Sequence, residues 1–155
     1  METITIEVLQ EDVYEEVAKA TDYTGSKLID GDEGARDRIL AADDDLAELG
    51  RFWEESVLAT NENLKEMLVS GSTKQMADKR VVYEALIEVS KSFDKVLTAS
   101  VQSTLRSFFI ASIIGQWFKF ANKGEANDYF AQAADMMEAA ERLLYSRKKP
   151  TRPTD

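Results

Sequence analysis

The chain has 155 residues, 44% of them hydrophobic, with 29 acidic against 19 basic side chains and a formal net charge of −10. That balance argues against general nucleic-acid or anionic-membrane binding, both of which reward excess Lys and Arg. Cysteine and histidine are both absent, which removes disulfides, a thiol nucleophile, Cys or His zinc sites and a Ser-His-Asp triad.

The length and apolar content suit one domain over residues 1–146, with a separate tail at 147–155. Charge is unevenly divided: residues 1–70 carry 19 acidic and 6 basic side chains, whereas 71–155 carry 10 and 13. A molecule with unlike faces suits head-to-tail assembly; solvated acidic helix faces are the plainer explanation. The charged, alternating start Met1-Glu-Thr-Ile-Thr-Ile-Glu7 lacks the basic and apolar regions of a signal peptide, so synthesis in the cytoplasm is expected.

Thr3-Ile-Thr-Ile-Glu-Val8 alternates with period two and predicts a short strand over 3–8 with Ile4, Ile6 and Val8 inward. Val13, Tyr14, Val17 and Ala20 recur at helical spacing behind Glu11 and Asp12, which suit the positive end of a helix dipole, so a helix is predicted over 11–20. Turn formers fill 22–34. Asp43-Asp-Asp45, with Glu48 at capping-box spacing, opens a long helix over 43–69 whose stripe is Leu46, Leu49, Trp53, Val57, Leu64 and Met67/Leu68. Ser70-Gly-Ser-Thr73 ends it, and 70–80 reads as a loop.

Val81-Val-Tyr-Glu-Ala-Leu-Ile-Glu-Val89 is β-branched and alternating, which predicts a strand pairing with 3–8; a helix is the other option, since Glu, Ala and Leu favour one. From 94 to 122 a helix contains the apolar run Leu105–Ala121, which falls short of the roughly 20 clean apolar residues of a membrane span. Burial in protein is therefore expected, with Val96, Val101, Leu105, Phe109, Ile113 and Trp117 among the core positions. Asn122-Lys-Gly124 predicts a glycine stop and a tight link to a last helix over 125–146, making a helical hairpin. The sum is a mainly α fold, a bundle of three to four helices with a short two-stranded β element.

No constellation points to chemistry. Asp30-Gly-Asp-Glu-Gly34 resembles a calcium loop but misplaces its glycine and has Ala41 where a bidentate Glu belongs, so it reads as a solvated turn. Glu54, Glu55, Glu62 and Glu66 have no evident partner to separate their proton affinities and read as exposed helix carboxylates. No catalytic, cofactor-binding or metal-binding residue is predicted, and no cofactor. Trp53, Trp117 and Met136-Met137 read first as core, with an interface anchor the sharper option for the tryptophans. The tail, Arg147-Lys-Lys-Pro-Thr-Arg-Pro-Thr-Asp155, joins four cations to two prolines. An extended, basic arm of that kind complements an acidic surface, so Arg147, Lys148, Lys149 and Arg152, with Trp117, are the predicted partner contacts.

The order of these features, Asp43-Asp-Asp-Leu-Ala-Glu-Leu-Gly-Arg-Phe-Trp53, then Ile113-Ile-Gly-Gln-Trp-Phe-Lys-Phe120, then Leu143-Leu-Tyr-Ser-Arg-Lys-Lys149, resembles small virion proteins encoded in prophages of gut bacteria. It is also similar to the helical head-tail connector (adaptor) proteins of tailed phages, with the segment before residue 30 as an extension. That resemblance implies a non-enzymatic structural protein made in the bacterial cytoplasm and carried in the virion. It would assemble with copies of itself and with portal or tail proteins, without sequence-specific nucleic-acid or membrane binding. The other option is a small acidic helical regulatory or inhibitor module acting on a host or phage protein, for which the acidic first half is the motive.

Overall fold

The computed structural model describes residues 1–28 and 46–148. In chain order they form β1 (Glu2–Leu9), α1 (Gln10–Leu28), α2 (Leu46–Asn63), β2 (Leu68–Gln75), β3 (Val81–Val89), a 3-10 turn (Lys95–Leu97), α3 (Thr98–Ala121) and α4 (Lys123–Leu144). The mostly helical class and the pairing of residues 3–8 with 81–89 are as predicted, but the sheet has three antiparallel strands in the order β1-β3-β2. The predicted two-stranded element, the helix over 43–69 and the end of the first helix need correction; α1 does not stop at 20 but runs on to Leu28, through the residues from 22 read as turn formers. α2 stops at Asn63, and after a turn closed by Met67 N–H on Leu64 O (3.0 Å) the chain becomes β2.

The reason lies in Leu68-Val-Ser-Gly-Ser-Thr-Lys-Gln75 itself. Val and Thr favour the pleated conformation, Ser and Gly disfavour helix, and β3 offers these residues a partner edge. Only 76–80 remain as loop: Lys79 takes the left-handed conformation (φ 72°), and Met76 N–H donates to Arg80 O at 2.7 Å. Asp43–Asp45 and Asp30–Gly34 lie outside the described residues.

One face of the sheet is apolar. Ile4 lies opposite Ile87, Ile6 opposite Ala85 and Val8 opposite Tyr83, and all six are buried. The other face, with Thr3, Thr5, Ser70, Ser72 and Glu88, is exposed. α3 packs against the buried side and against α1, α2 and α4. Its apolar character then has an account. By length and composition Lys95–Lys119 would satisfy a membrane span, while here Val101, Leu105, Phe108, Phe109, Ile113, Ile114 and Phe118 are buried in the domain core.

Two predicted core positions differ. Val96 is 83% exposed because it sits in the 3-10 turn ahead of α3. Trp117 is half-buried, and the neighbouring Phe118 takes the fully buried place against Tyr129 of α4, ring centroids 5.9 Å apart.

The hairpin link is shorter than predicted. Asn122 alone separates α3 from α4; its extended backbone (φ −157°, ψ 92°) turns the chain while its side chain accepts from Glu125 N–H at 3.3 Å. It is therefore an N-cap for α4. Gly124 lies inside the first turn of α4 and is no C-terminal stop, which corrects the glycine reading. Gly115 has a tighter role, since a methyl there would lie 2.7 Å from the Phe130 ring of α4.

At the centre, Phe109 of α3 meets Trp53 of α2 at 4.8 Å and Tyr83 of β3 at 5.4 Å between ring centroids. Aromatic pairs at such spacing add to the gain from area burial alone. Phe109→Ala empties the node shared by two helices and the sheet, and a loss of about 3–5 kcal/mol is expected. Urea unfolding of the two proteins checks this, and a loss below about 1 kcal/mol would contradict the central place given to this ring.

Candidate interaction surfaces

The predicted contact residues fall at two ends of the molecule. Trp117 is near the C-terminal end of α3, whereas Arg147 follows α4, which returns antiparallel to the start of α3. At 1.5 Å per residue the helices hold these two sites roughly 30 Å apart, so the structure does not bring them together. Lys149 and Arg152 lie outside the described residues.

Arg147 and Lys148 are exposed but not detached. Arg147 forms an antiparallel bridge with Phe93, and Lys148 N–H donates to Ser92 O at 2.7 Å. The first two tail residues are thus fastened by main-chain bonds to the segment before α3, which leaves their cationic side chains displayed at a fixed place. Beside them a cavity of about 300 Å³ is lined by Met67, Val89, Leu144 and Tyr145 with Glu66 and Arg147 among its polar groups. A smaller cavity of about 160 Å³ shares Glu66, Met67 and Tyr145 and adds Glu141. Tyr145 is 65% exposed across both. This end is an open apolar patch with charges of both signs.

At the Trp117 end, Arg51, Phe52, Glu55, Gln116, Lys119 and Phe130 line an open cavity of about 420 Å³ between α2, α3 and α4. Nearby, a polar bridge joins α2 to α3, where Ser56 Oγ lies 3.0 Å from Ser112 Oγ and 3.0 Å from Phe52 O. Another open cavity, about 400 Å³, collects Glu7, Asp12, Arg80, Gln102 and Arg106. Glu54, Glu55, Glu62 and Glu66 are exposed, and among the described residues no three acidic side chains gather as a metal site would require.

The most developed polar network is a feature that sequence reasoning missed. Tyr83 Oη donates to Asn61 Oδ1 (2.6 Å), Asn61 Nδ2 donates to Gly71 O (3.0 Å), and Trp53 Nε1 donates to Thr73 Oγ1 (3.0 Å). These bonds tie α2 to β2 and β3. Gly71 is required, because a methyl there would collide with the Asn61 amide oxygen and lie 2.8 Å from Tyr83 Oη. Asn61 interrupting an apolar stripe was the available signal, since a polar residue facing inward must find partners.

Comparison with protein-family models, with curated proteins and with solved structures finds no match to this chain.

Tyr83 of this network and Tyr14 of α1, whose ring meets Trp53 edge-on at 6.3 Å between centroids, both favour their neutral form. Burial pushes the Tyr83 phenol well above its ordinary range, and burial followed by the charge of Glu54 pushes Tyr14 up from 10.0 to about 12. A folded-state pKa above the unfolded one means that this stabilisation is whole below pH about 10 and fades as pH climbs through the folded values. The urea midpoint should hold from about pH 7 to 9 and then fall. Because lysines also titrate there, the comparison is with a Tyr14→Phe, Tyr83→Phe variant, whose midpoint should fall less steeply. An equally steep fall would exclude these phenols as its cause.

Proposed function

We propose that this protein is a non-enzymatic assembly protein of the head-tail connector (adaptor) type, joining copies of itself to a portal or tail protein of a phage particle. The observation that carries the proposal is the placement of two chemically different surfaces at opposite ends of the α3/α4 hairpin. Unlike ends on one subunit favour heterologous, head-to-tail contacts, and such contacts close into a ring when the rotation between subunits permits. The resemblance in the order of helices and aromatic positions points the same way. Trp117, Arg147 and Lys148 are the contacts assigned within the described residues; Lys149 and Arg152 would extend the basic arm.

A second reading, the acidic regulatory or inhibitor module, draws on a separate observation. The solvent faces of α1 and α2 carry Glu11, Glu15, Glu48, Glu54, Glu55 and Glu62 exposed in succession. Their field would attract a basic, DNA-binding partner. The charge division of the chain is less useful to the connector reading than the bare sequence implies, because α4 itself carries five acidic against two basic residues.

Native mass spectrometry of the protein alone and mixed with a phage portal protein tests the proposal. A defined oligomer, or a stoichiometric complex with portal, is expected, and an Arg147→Glu, Lys148→Glu variant should lose it while keeping its melting temperature. A monomer without portal affinity that instead captures a basic DNA-binding protein at low salt would replace this reading with the second.

A further inference from the structure

The two outer strands of the sheet are defended differently. β1 has α3 packed along it, and Gln102 Oε1 accepts the outward-facing Glu7 N–H at 2.9 Å, so that edge is occupied from within the chain. β2 is covered only in part among the described residues: α2 lies beside it and takes one outward main-chain group, the carbonyl of Gly71. Met76 N–H bonds inward to Arg80 O, and the register then continues through Lys74 opposite Val82 and Ser72 opposite Glu84. In an antiparallel ladder the alternate residues turn their main-chain groups away. Those residues are Gly71, Thr73 and Gln75. The outward carbonyl of Gly71 is taken by Asn61, which leaves the main-chain groups of Thr73 and Gln75 with no partner on that side among the described residues.

An edge of this kind is a template for another strand unless charge, proline or a covering element blocks it. β2 has no proline, and its single lysine, Lys74, is drawn onto the outer face of the sheet by Glu84 at 2.6 Å. The bulge between Leu68 and Ser70 ends regular pairing, so a short segment is accommodated.

The side of this edge is formed by α2. Trp53 and Glu54 reach Thr73, and Asn61 reaches Gly71, so the helix runs beside β2 in the opposite sense. On its exposed flank Glu54, Leu58 and Glu62 follow at one-turn steps, and Leu58 is 65% exposed. A strand edge beside a helix is the arrangement used for strand addition, where the main chain supplies affinity and alternate side chains supply choice. Here the choice is set by two carboxylates flanking one aliphatic side chain. Pairing of β2 with β2 of a second copy would bring Glu54 and Glu62 of both subunits toward each other, and Lys65, already paired with Glu62 at 3.1 Å, offers limited relief.

We infer that the open edge of β2, beside the Glu54–Leu58–Glu62 stripe of α2, accepts a short extended basic segment of a partner protein as a fourth strand. This surface is separate from both ends of the helical hairpin, so the inference goes beyond the assembly reading and stands or falls apart from it.

The probe is a short synthetic peptide alternating lysine and valine, followed by amide hydrogen exchange and calorimetric titration of the full chain. Thr73 and Gln75 amides exchange freely in the protein alone and become protected as the peptide saturates, while those of Ser72 and Lys74 are protected throughout. The glutamate-valine counterpart binds at least about tenfold more weakly, as does the lysine peptide to a Glu54→Lys, Glu62→Lys variant of unchanged melting temperature. A lysine-valine peptide N-methylated at its pairing positions does not bind. Absence of protection at Thr73 and Gln75, or equal binding of the acidic peptide, overturns the inference. So does protection that rises with protein concentration without peptide, which would assign the edge to a second copy.

Discussion

The contact of Phe109 with Trp53 and Tyr83 sets the terms for the rest of the molecule. α3 is apolar on nearly every side, so hydrophobicity alone does not fix its rotation about its own axis; many rotations would bury comparable area. The ring of Phe109, seated 4.8 Å from Trp53 and 5.4 Å from Tyr83, selects one. With that rotation fixed, Leu105 and Ile113 face inward on adjacent turns, Gln102 reaches the edge of β1, and Gly115 meets Phe130. Trp53 and Tyr83 then extend the constraint outward through their polar atoms, to Thr73 and Asn61. An apolar packing choice is thereby converted into the position of β2.

The sequence was most informative where one pattern had one structural meaning. Ile4, Ile6 and Val8 could lie only on one face of a strand, and Val13 with Val17 only on one face of a helix. It failed where a pattern had two. Leu64, Met67 and Leu68 continue the α2 stripe at helical spacing, yet Leu68 starts a strand, because the competing signal, the small β-tolerant residues after it, becomes decisive only once β3 is present as a neighbour. The misplaced glycine stop has a similar origin. Asn122 and Gly124 both suit a helix boundary, and only the geometry shows that the asparagine cap governs it. Surface placement was least legible of all, since Trp117 and Arg147 are separated by the length of a helix that periodicity describes without reference to its neighbours.

The cavities among the described residues do not converge polar groups on a sequestered point. They are open and distributed, and the strongest polar network, around Asn61, is spent on holding elements together. The described surface presents different chemistry in different directions: mixed charge about an apolar patch at the Tyr145 end, acidic helix faces along the flank, and main-chain groups at the β2 edge.

The order of elements along the chain also bears on how the fold is reached. β2 and β3 meet through a five-residue turn, and α3 and α4 through Asn122 alone, so both pairs close with little loss of chain entropy. β1, by contrast, is the first strand made and pairs with β3 only after α1, α2 and β2 have been synthesised between them. Such distant pairing is slow compared with local closure. Until β1 docks, the inner strand β3, with Val82, Tyr83, Ala85 and Ile87 in close succession, has a second bare edge. The emerging chain is therefore most susceptible to misassociation in the interval between translation of β3 and the arrival of β1.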